Sequence, residues 1–283
     1  MFLRTIRYTF LAAGALVFIA SCSEYQQALK SEDIGLKYRV ADSLYNTGKY
    51  SKSVKLWEQI VPSYRGKPQA ERVMYLYADS YYKAEDYYLS GYQFERFASS
   101  YPQSEKIAEA QFKSARSYYE LSPTYNLDQS QTQKALEKLQ AFIGDCPESE
   151  YTERADTLIK ELSVKLQKKD FEIAKQYNTI MKYPVALAAL DDFISDYPGS
   201  PFREAAFFYK LDSQHKYAVG SFDVLVAERL KEANDIYNTL VRYYPEGDYR
   251  AQADEIKKDI DERLADREEE LTSNLNTDGR EKS

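Results

Sequence analysis

Residues 71–102 read ERVMYLYADSYYKAEDYYLSGYQFERFASSYP, and their spacing decides the fold. Ser90 is followed seven positions on by Phe97, and then by the step Tyr101-Pro102. Seven residues make two helical turns, so the small and the bulky side chain share one face, where the small one lets a neighbouring helix approach. A residue before proline is pushed out of the α region, so the helix ends at Tyr101. The same cassette recurs as Ala135…Phe142…Cys146-Pro147, Ala186…Phe193…Tyr197-Pro198 and Ala233…Leu240…Tyr244-Pro245, with a degraded first copy at Ser53…Ile60-Val61-Pro62. Ser104, Ser149 and Ser200 follow three of the prolines at one offset, and Pro201 comes after the last. Serine there caps a following helix by accepting its orphan amide hydrogens, and proline suits the first helical position. The chain therefore reads as helix, turn and capped helix, repeated, and tandem repeats of this kind bind more often than they catalyse.

The first helices align as well, because Ala41, Ala78 and Ala115 recur every 37 residues at a close-contact position. With proline closing each unit, these positions resemble the tetratricopeptide repeat (TPR), and residues 71–102 match it most cleanly. The third unit carries an insertion, Ser122 to Gln131, and the first has lost its aromatic-Pro end. The expected fold is all-α: a solenoid of five helix pairs with a C-terminal capping helix. Residues 1–21 are expected to form a signal peptide and 22–33 a lipidated tether, with repeats one to three over 34–147. Repeats four and five follow over 148–248, a capping helix over 249–270 and a disordered tail over 271–283. No glycine or proline interrupts the stretch between Pro147 and Pro184, so one long helix is expected across Thr152–Lys182, joining the two groups of repeats.

The N-terminus places Arg4 and Arg7 before an apolar run from Tyr8 to Ala20, which is the anatomy of a secretion signal and short for a membrane span. Its end, Ile19-Ala20-Ser21-Cys22, resembles the bacterial lipobox, which implies cleavage before Cys22 and acylation of that cysteine. Ser23 stands where an aspartate commonly retains lipoproteins in the inner membrane, so the outer membrane is expected. The formal charge is −7, and losing Arg4 and Arg7 makes it −9, which argues against a nucleic-acid scaffold. Cys146 would be the one cysteine left, without an intramolecular disulfide partner, and it reads as a packed structural residue. The chain has a single histidine, His215, with no nucleophile motif near it, no phosphate loop, no HExxH and no paired CxxC. The reading is a non-enzyme with no cofactor, no metal site and no small-molecule substrate.

In a stacked array the first helices of the pairs line the concave surface. Two sets at the 37-residue period would face it: Tyr38, Tyr75 and Phe112, and Tyr45, Tyr82 and Tyr119, with Arg72, Asp79, Lys83 and Arg116 between them. Such ladders suit an extended or hairpin peptide with aromatic side chains, since rings bury much area at little rotamer cost. Packing alone explains the same positions, and the spacing leaves both readings open.

The order of lipobox, five TPR units, Pro147-Glu148-Ser149-Glu150-Tyr151, long helix and Asp196-Tyr197-Pro198-Gly199-Ser200 resembles the BamD family, lipoproteins of the outer-membrane β-barrel assembly machine. The likeness runs from Cys22 to about Leu264, with Cys146 replacing the family's usual tyrosine and an acidic extension of no family role. It implies a scaffold whose last repeats dock on the POTRA region of the BamA-type barrel subunit. It also implies that the first repeats contact unfolded outer-membrane proteins. Arg203 matches a basic position of the family's fourth-to-fifth repeat junction, which nominates it for the surface facing that subunit. Two other readings remain: a SusD-like carbohydrate-capture TPR lipoprotein, for which the single Trp57 offers little, and a TPR adaptor for cell-envelope or division machinery.

Overall fold

A computed structural model describes residues 24–281, with side chains as far as 269. Cys22, its lipobox and the signal segment lie outside the described residues. Twelve helices and no strand occur among the described residues: α1 (residues 24–30), α2 (Ile34–Asn46), α3 (Tyr50–Ile60), α4 (Ala70–Lys83), α5 (Tyr87–Ser100) and α6 (Ile107–Glu120). There follow α7 (Ser130–Asp145), α8 (Thr152–Thr179), α9 (Tyr183–Asp196), α10 (Arg203–Val219), α11 (Asp223–Tyr243) and α12 (Arg250–Glu281). The all-α TPR solenoid expected from the cassette is the observed architecture. The described residues divide into two compact units, residues 24–123 with 127–162, and residues 124–126 with 163–281.

The cassette acts as its spacing requires. Tyr101, Cys146, Tyr197 and Tyr244 cap α5, α7, α9 and α11 in one shared conformation, with φ between −134 and −123° and ψ between 58 and 67°. Each cap N–H donates to the bulky residue four positions back: Phe97, Phe142, Phe193 or Leu240. The degraded copy departs locally, since Ile60 leads into a 3-10 helix over Val61–Tyr64 that takes Pro62 in its first turn. The small residues are buried contacts: Ser53 donates to the Ala41 carbonyl at 2.7 Å, and Ser117 donates to Ser90 at 3.0 Å. Ser104, Ser149 and Ser200 accept from the amides of Lys106, Tyr151 and Phe202, so they begin the turn that leads into α6, α8 and α10.

In the first unit, Trp57, Leu56, Ile60 and Val73 form a core with Tyr77 and Tyr81, and Phe94 and Phe97 form a second cluster with Ala78 and Ala110. In the second unit, Phe171, Leu190 and Phe193 build one cluster, and Leu211, Leu230, Leu240 and Ile260 build another. The long helix runs over Thr152–Thr179, about 42 Å at the standard rise, and contributes residues to both units. The terminal helix corrects the expected boundaries. Residues 271–281, expected to be disordered, have helical backbone continuous with α12.

Candidate functional site: the tyrosine face of the first three repeats

The first unit places α2, α4 and α6 side by side, and their polar residues interlock. Asp79 of α4 is almost fully buried, with 1% of its side chain exposed. A carboxylate so buried must be paired, and three groups meet it. The Tyr45 hydroxyl donates to its Oδ2, Lys113 Nζ lies 2.6 Å from Oδ1, and Lys83 Nζ lies 3.2 Å from Oδ2. Lys83 also donates to the Tyr45 hydroxyl at 2.8 Å and sits 4.4 Å from its ring centre. Lys113 reaches the Tyr75 hydroxyl at 3.1 Å and Glu109 at 2.7 Å, and Lys106 binds Glu109 at 2.8 Å. Beside this chain of contacts, Arg72 donates to the Tyr38 hydroxyl at 3.1 Å and pairs with Asp42 at 2.8 Å.

Protonation follows from these partners. Burial opposes ionisation of Glu109, but bonds from Lys106, Lys113 and Tyr75 outweigh it and hold the carboxyl at about 2. For Lys83, burial favours the neutral amine, yet the Tyr45 bond and the Asp79 charge prevail and raise it to about 12. Burial raises the Tyr75 phenol, helped by its bond to Glu109, and raises Tyr45, helped by Asp79. Tyr119 is lifted to about 12, first by its hydroxyl bond to Glu161 and then by burial. The phenols are therefore neutral near neutral pH and act as hydrogen-bond donors to carboxylates.

The nominated aromatics divide on this geometry. Tyr38, Tyr45, Tyr75, Tyr82 and Tyr119 are half-buried. Their inner edges pack: Tyr38 against Trp57 at 5.4 Å, Tyr75 against Phe97 at 5.5 Å and Tyr82 against Tyr87 at 5.8 Å. Packing and accessibility are thus both properties of the same rings. Phe112 is a correction: it is buried, stacked on Tyr151 at 4.9 Å and tilted against Phe142, so it belongs to the core and not to the surface. It lacks the hydroxyl that draws its counterparts toward polar partners, and Tyr151 at the entry to α8 covers it. Arg116 lies 6.0 Å from the Tyr82 ring and pairs with Glu120 at 3.3 Å. Lys113 and Glu109, the hub of the network, escaped the sequence reading, which followed the 37-residue period. The bonds between neighbouring first helices run one turn short of the period, at 34 residues, as in Tyr38 to Arg72, Tyr45 to Asp79 and Asp79 to Lys113, or just beyond it, at 38, as in Tyr45 to Lys83 and Tyr75 to Lys113.

Arg203 lies in the second unit, at the first position of α10. Its guanidinium sits 5.0 Å from the Phe207 ring centre and 5.1 Å from that of Tyr243, and its buried Nε has no hydrogen-bond partner. Trp57 is fully buried, so the single indole offers no stacking surface to a sugar. No group of side chains able to hold a metal occurs among the described residues, and none of their helices is long and apolar enough to cross a membrane.

The model of a family described as YfiO, outer membrane lipoprotein, matches residues 32–185 and 177–274. The chain belongs to this family. The YfiO family, the BamD-type TPR lipoproteins, consists of non-catalytic scaffolds of outer-membrane protein assembly, and this member is lipid-anchored at the periplasmic face of the outer membrane. No curated protein sequence matches the chain. Two solved structures of a candidate kinesin light chain from Podosopora anserina, with nearly identical TPR-like repeats, share 14% identity with it at a TM-score of 0.31. They cover 76% and 73% of this chain and 98% and 97% of their own, a likeness too distant to bear on the site.

Proposed function

We propose that the tyrosine face of the first unit receives extended segments of unfolded outer-membrane proteins, while the N-terminus of α10 docks the POTRA region of a BamA-type barrel subunit. The observation that carries the first part is the layering of charge. The cations stand outward and the carboxylates beneath them: Arg72 is 60% exposed against 27% for Asp42, and Lys106 is 56% exposed against 21% for Glu109. Half-buried tyrosines alternate with these cations, an arrangement that suits aromatic side chains and main-chain carbonyls without a deep pocket.

For the docking surface, the support is Arg203, a guanidinium stacked on rings with a buried Nε that lacks an acceptor. An arginine so placed has donors to spare for a carboxylate of a partner. The two parts separate in one experiment, affinity purification of the barrel subunit beside anisotropy of a labelled aromatic-rich strand peptide. Arg72→Ala with Lys83→Ala weakens the peptide about tenfold and leaves the subunit bound, on the scale of two charge-assisted contacts. Arg203→Glu does the reverse. Loss of both activities in either variant would refute the division of labour.

A further inference from the structure

The turns that join the first helix of a pair to its second differ in chemistry along the chain. In the first unit, Asn46-Thr47-Gly48-Lys49 and Ala84-Glu85-Asp86 are polar, and the exposed ring after them, Tyr88, carries a hydroxyl. In the second unit, the turn from α8 to α9 exposes Ile180, Met181 and Val185, and the turn from α10 to α11 exposes Val219, Phe222 and Val224. Met181, Phe222 and Val224 are 73, 85 and 86% exposed, more than helix packing ever leaves such side chains.

Both turns stand at the same end of this unit. Asn178, in the last turn of α8, donates to Asp212 at 2.9 Å and to Ser213 at 2.8 Å, so α8 and α10 lie side by side there. From Ser213, α10 runs about 9 Å further before it ends at Val219. Much of the charge at this end is paired internally, while Lys182 stands exposed on the first turn: Lys216 pairs with Asp212 at 2.6 Å, Arg263 with Asp259 at 2.7 Å, and Arg267 bonds both the carboxylate and the carbonyl of Asp223. What remains is two sets of exposed apolar side chains carried on turns, beside a mostly polar hollow lined by Val219, Ser221, Asp223, Val226, Arg263 and Arg267.

We propose that these turns insert into the interfacial layer of the bilayer that holds the chain, forming a membrane contact additional to the lipid anchor. The inference rests on the family's place at the outer membrane and not on the tyrosine face. Apolar side chains exposed on turns suit a deformable lipid surface, whereas a protein partner needs complementary shape. Lys182 is the one cation on these two turns, so apolar contact and not headgroup charge dominates. An apolar contact of the folded part adds to the acyl anchor and fixes the orientation of the unit on the surface. Because α12 passes this end at Arg267 and continues to Glu281, the bilayer meets the turns on the side of α8 and α9.

The test uses the mature chain, residues 22–283 carrying Cys22→Ser, so that neither an acyl group nor the apolar leader contributes, floated with vesicles of phosphatidylethanolamine and phosphatidylglycerol. We expect flotation that barely changes when salt is raised and that falls about tenfold in Phe222→Glu with Val224→Glu. The same two charges placed elsewhere on the unit, as Ser195→Glu with Asn238→Glu, leave it intact. Phe222→Trp is expected to be quenched by brominated lipid, with Trp57→Phe removing the buried indole from the signal. Absence of flotation, absence of quenching, or a Phe222→Glu/Val224→Glu chain that floats fully but loses the barrel subunit would each overturn the proposal, the last by assigning the exposed side chains to a protein. The peptide affinity of the tyrosine face stays unchanged throughout, so failure here is distinct from failure of the groove reading.

Discussion

The two units share one cassette and spend their polar residues differently. In the first, three parallel helices are cross-linked by a buried carboxylate and its cations, and two of the connecting turns are polar while the longer third exposes Leu127. In the second, the corresponding helices α8 and α10 are joined by the side-chain amide of Asn178, and the turns expose aliphatic and aromatic groups. The cassette therefore settles how helices stack, and it leaves the faces and turns free to diverge. Within each unit the interior residues repeat, while function attaches to positions whose chemistry does not.

The sharpest way to break that comparison is to remove the central acid of each network. Asp79→Ala leaves Lys113 buried without its main partner, and such a loss costs roughly 3–5 kcal/mol. Asp212→Ala removes an acceptor that Asn178 replaces in part with Ser213, and costs about 1 kcal/mol. Trp57 lies in the first unit and is the only tryptophan, so its fluorescence during urea unfolding follows that unit, while far-UV circular dichroism follows both. The expected outcome is a large shift of the fluorescence midpoint for Asp79→Ala and a shift seen mainly by dichroism for Asp212→Ala. Equal shifts would mean that the buried network is no more than one contact among many.

Acid probes the same contrast more gently. The folded Glu109 carboxyl sits at about 2, below its ordinary value of 4.5, so its contribution is complete above that ordinary value and is lost as pH falls toward 2. Screened by partial exposure, the effect is about 1–2 kcal/mol. Asp259 in the second unit is also lowered, by Arg263 first and then His215, on a more exposed site. Stability read through Trp57 should therefore fall between pH 5 and 3, and Glu109→Gln should flatten that fall. An unchanged slope in the variant would remove Glu109 from the account.

Much of this was legible in the sequence for a physical reason. The cassette residues act through backbone geometry and burial, which depend on local spacing, so Phe97, Phe142, Phe193 and Leu240 could be placed before any coordinates. The cross-links do not follow the 37-residue period of the repeat itself. Side chains meet the neighbouring helix on either side of that register, at 34 residues where they lean back one turn and at 38 for the long lysines Lys83 and Lys113. Tyr45, Asp79 and Lys113 are complementary at the 34-residue offset, as are Asn178 and Asp212 in the second unit, so a scan for donors and acceptors 34 apart would have found both networks. Phe112 misled because ring position alone does not distinguish a covered face from an open one. The length of α12 was misjudged because a polar composition was read as disorder.

The smallest expected effect joins stability to the proposed membrane contact. Equivalent turns take a left-handed residue: Gly48 at φ 76°, Glu85 at φ 61° and Met181 at φ 60°. Only glycine adopts that conformation without a clash from its own Cβ. Glu85→Gly and Met181→Gly therefore each relieve strain of about 1 kcal/mol, partly offset by the added freedom of the unfolded chain, for a net change near 0.5 kcal/mol in either unit. Thermal unfolding should place the two variants together, slightly above the parent. Vesicle flotation should part them, because Met181→Gly also removes an exposed apolar group while Glu85→Gly removes none. If Met181→Gly floats as well as Glu85→Gly, the residue was retained for neither its backbone nor its contact with lipid, and the apolar contact reduces to Phe222 and Val224 alone.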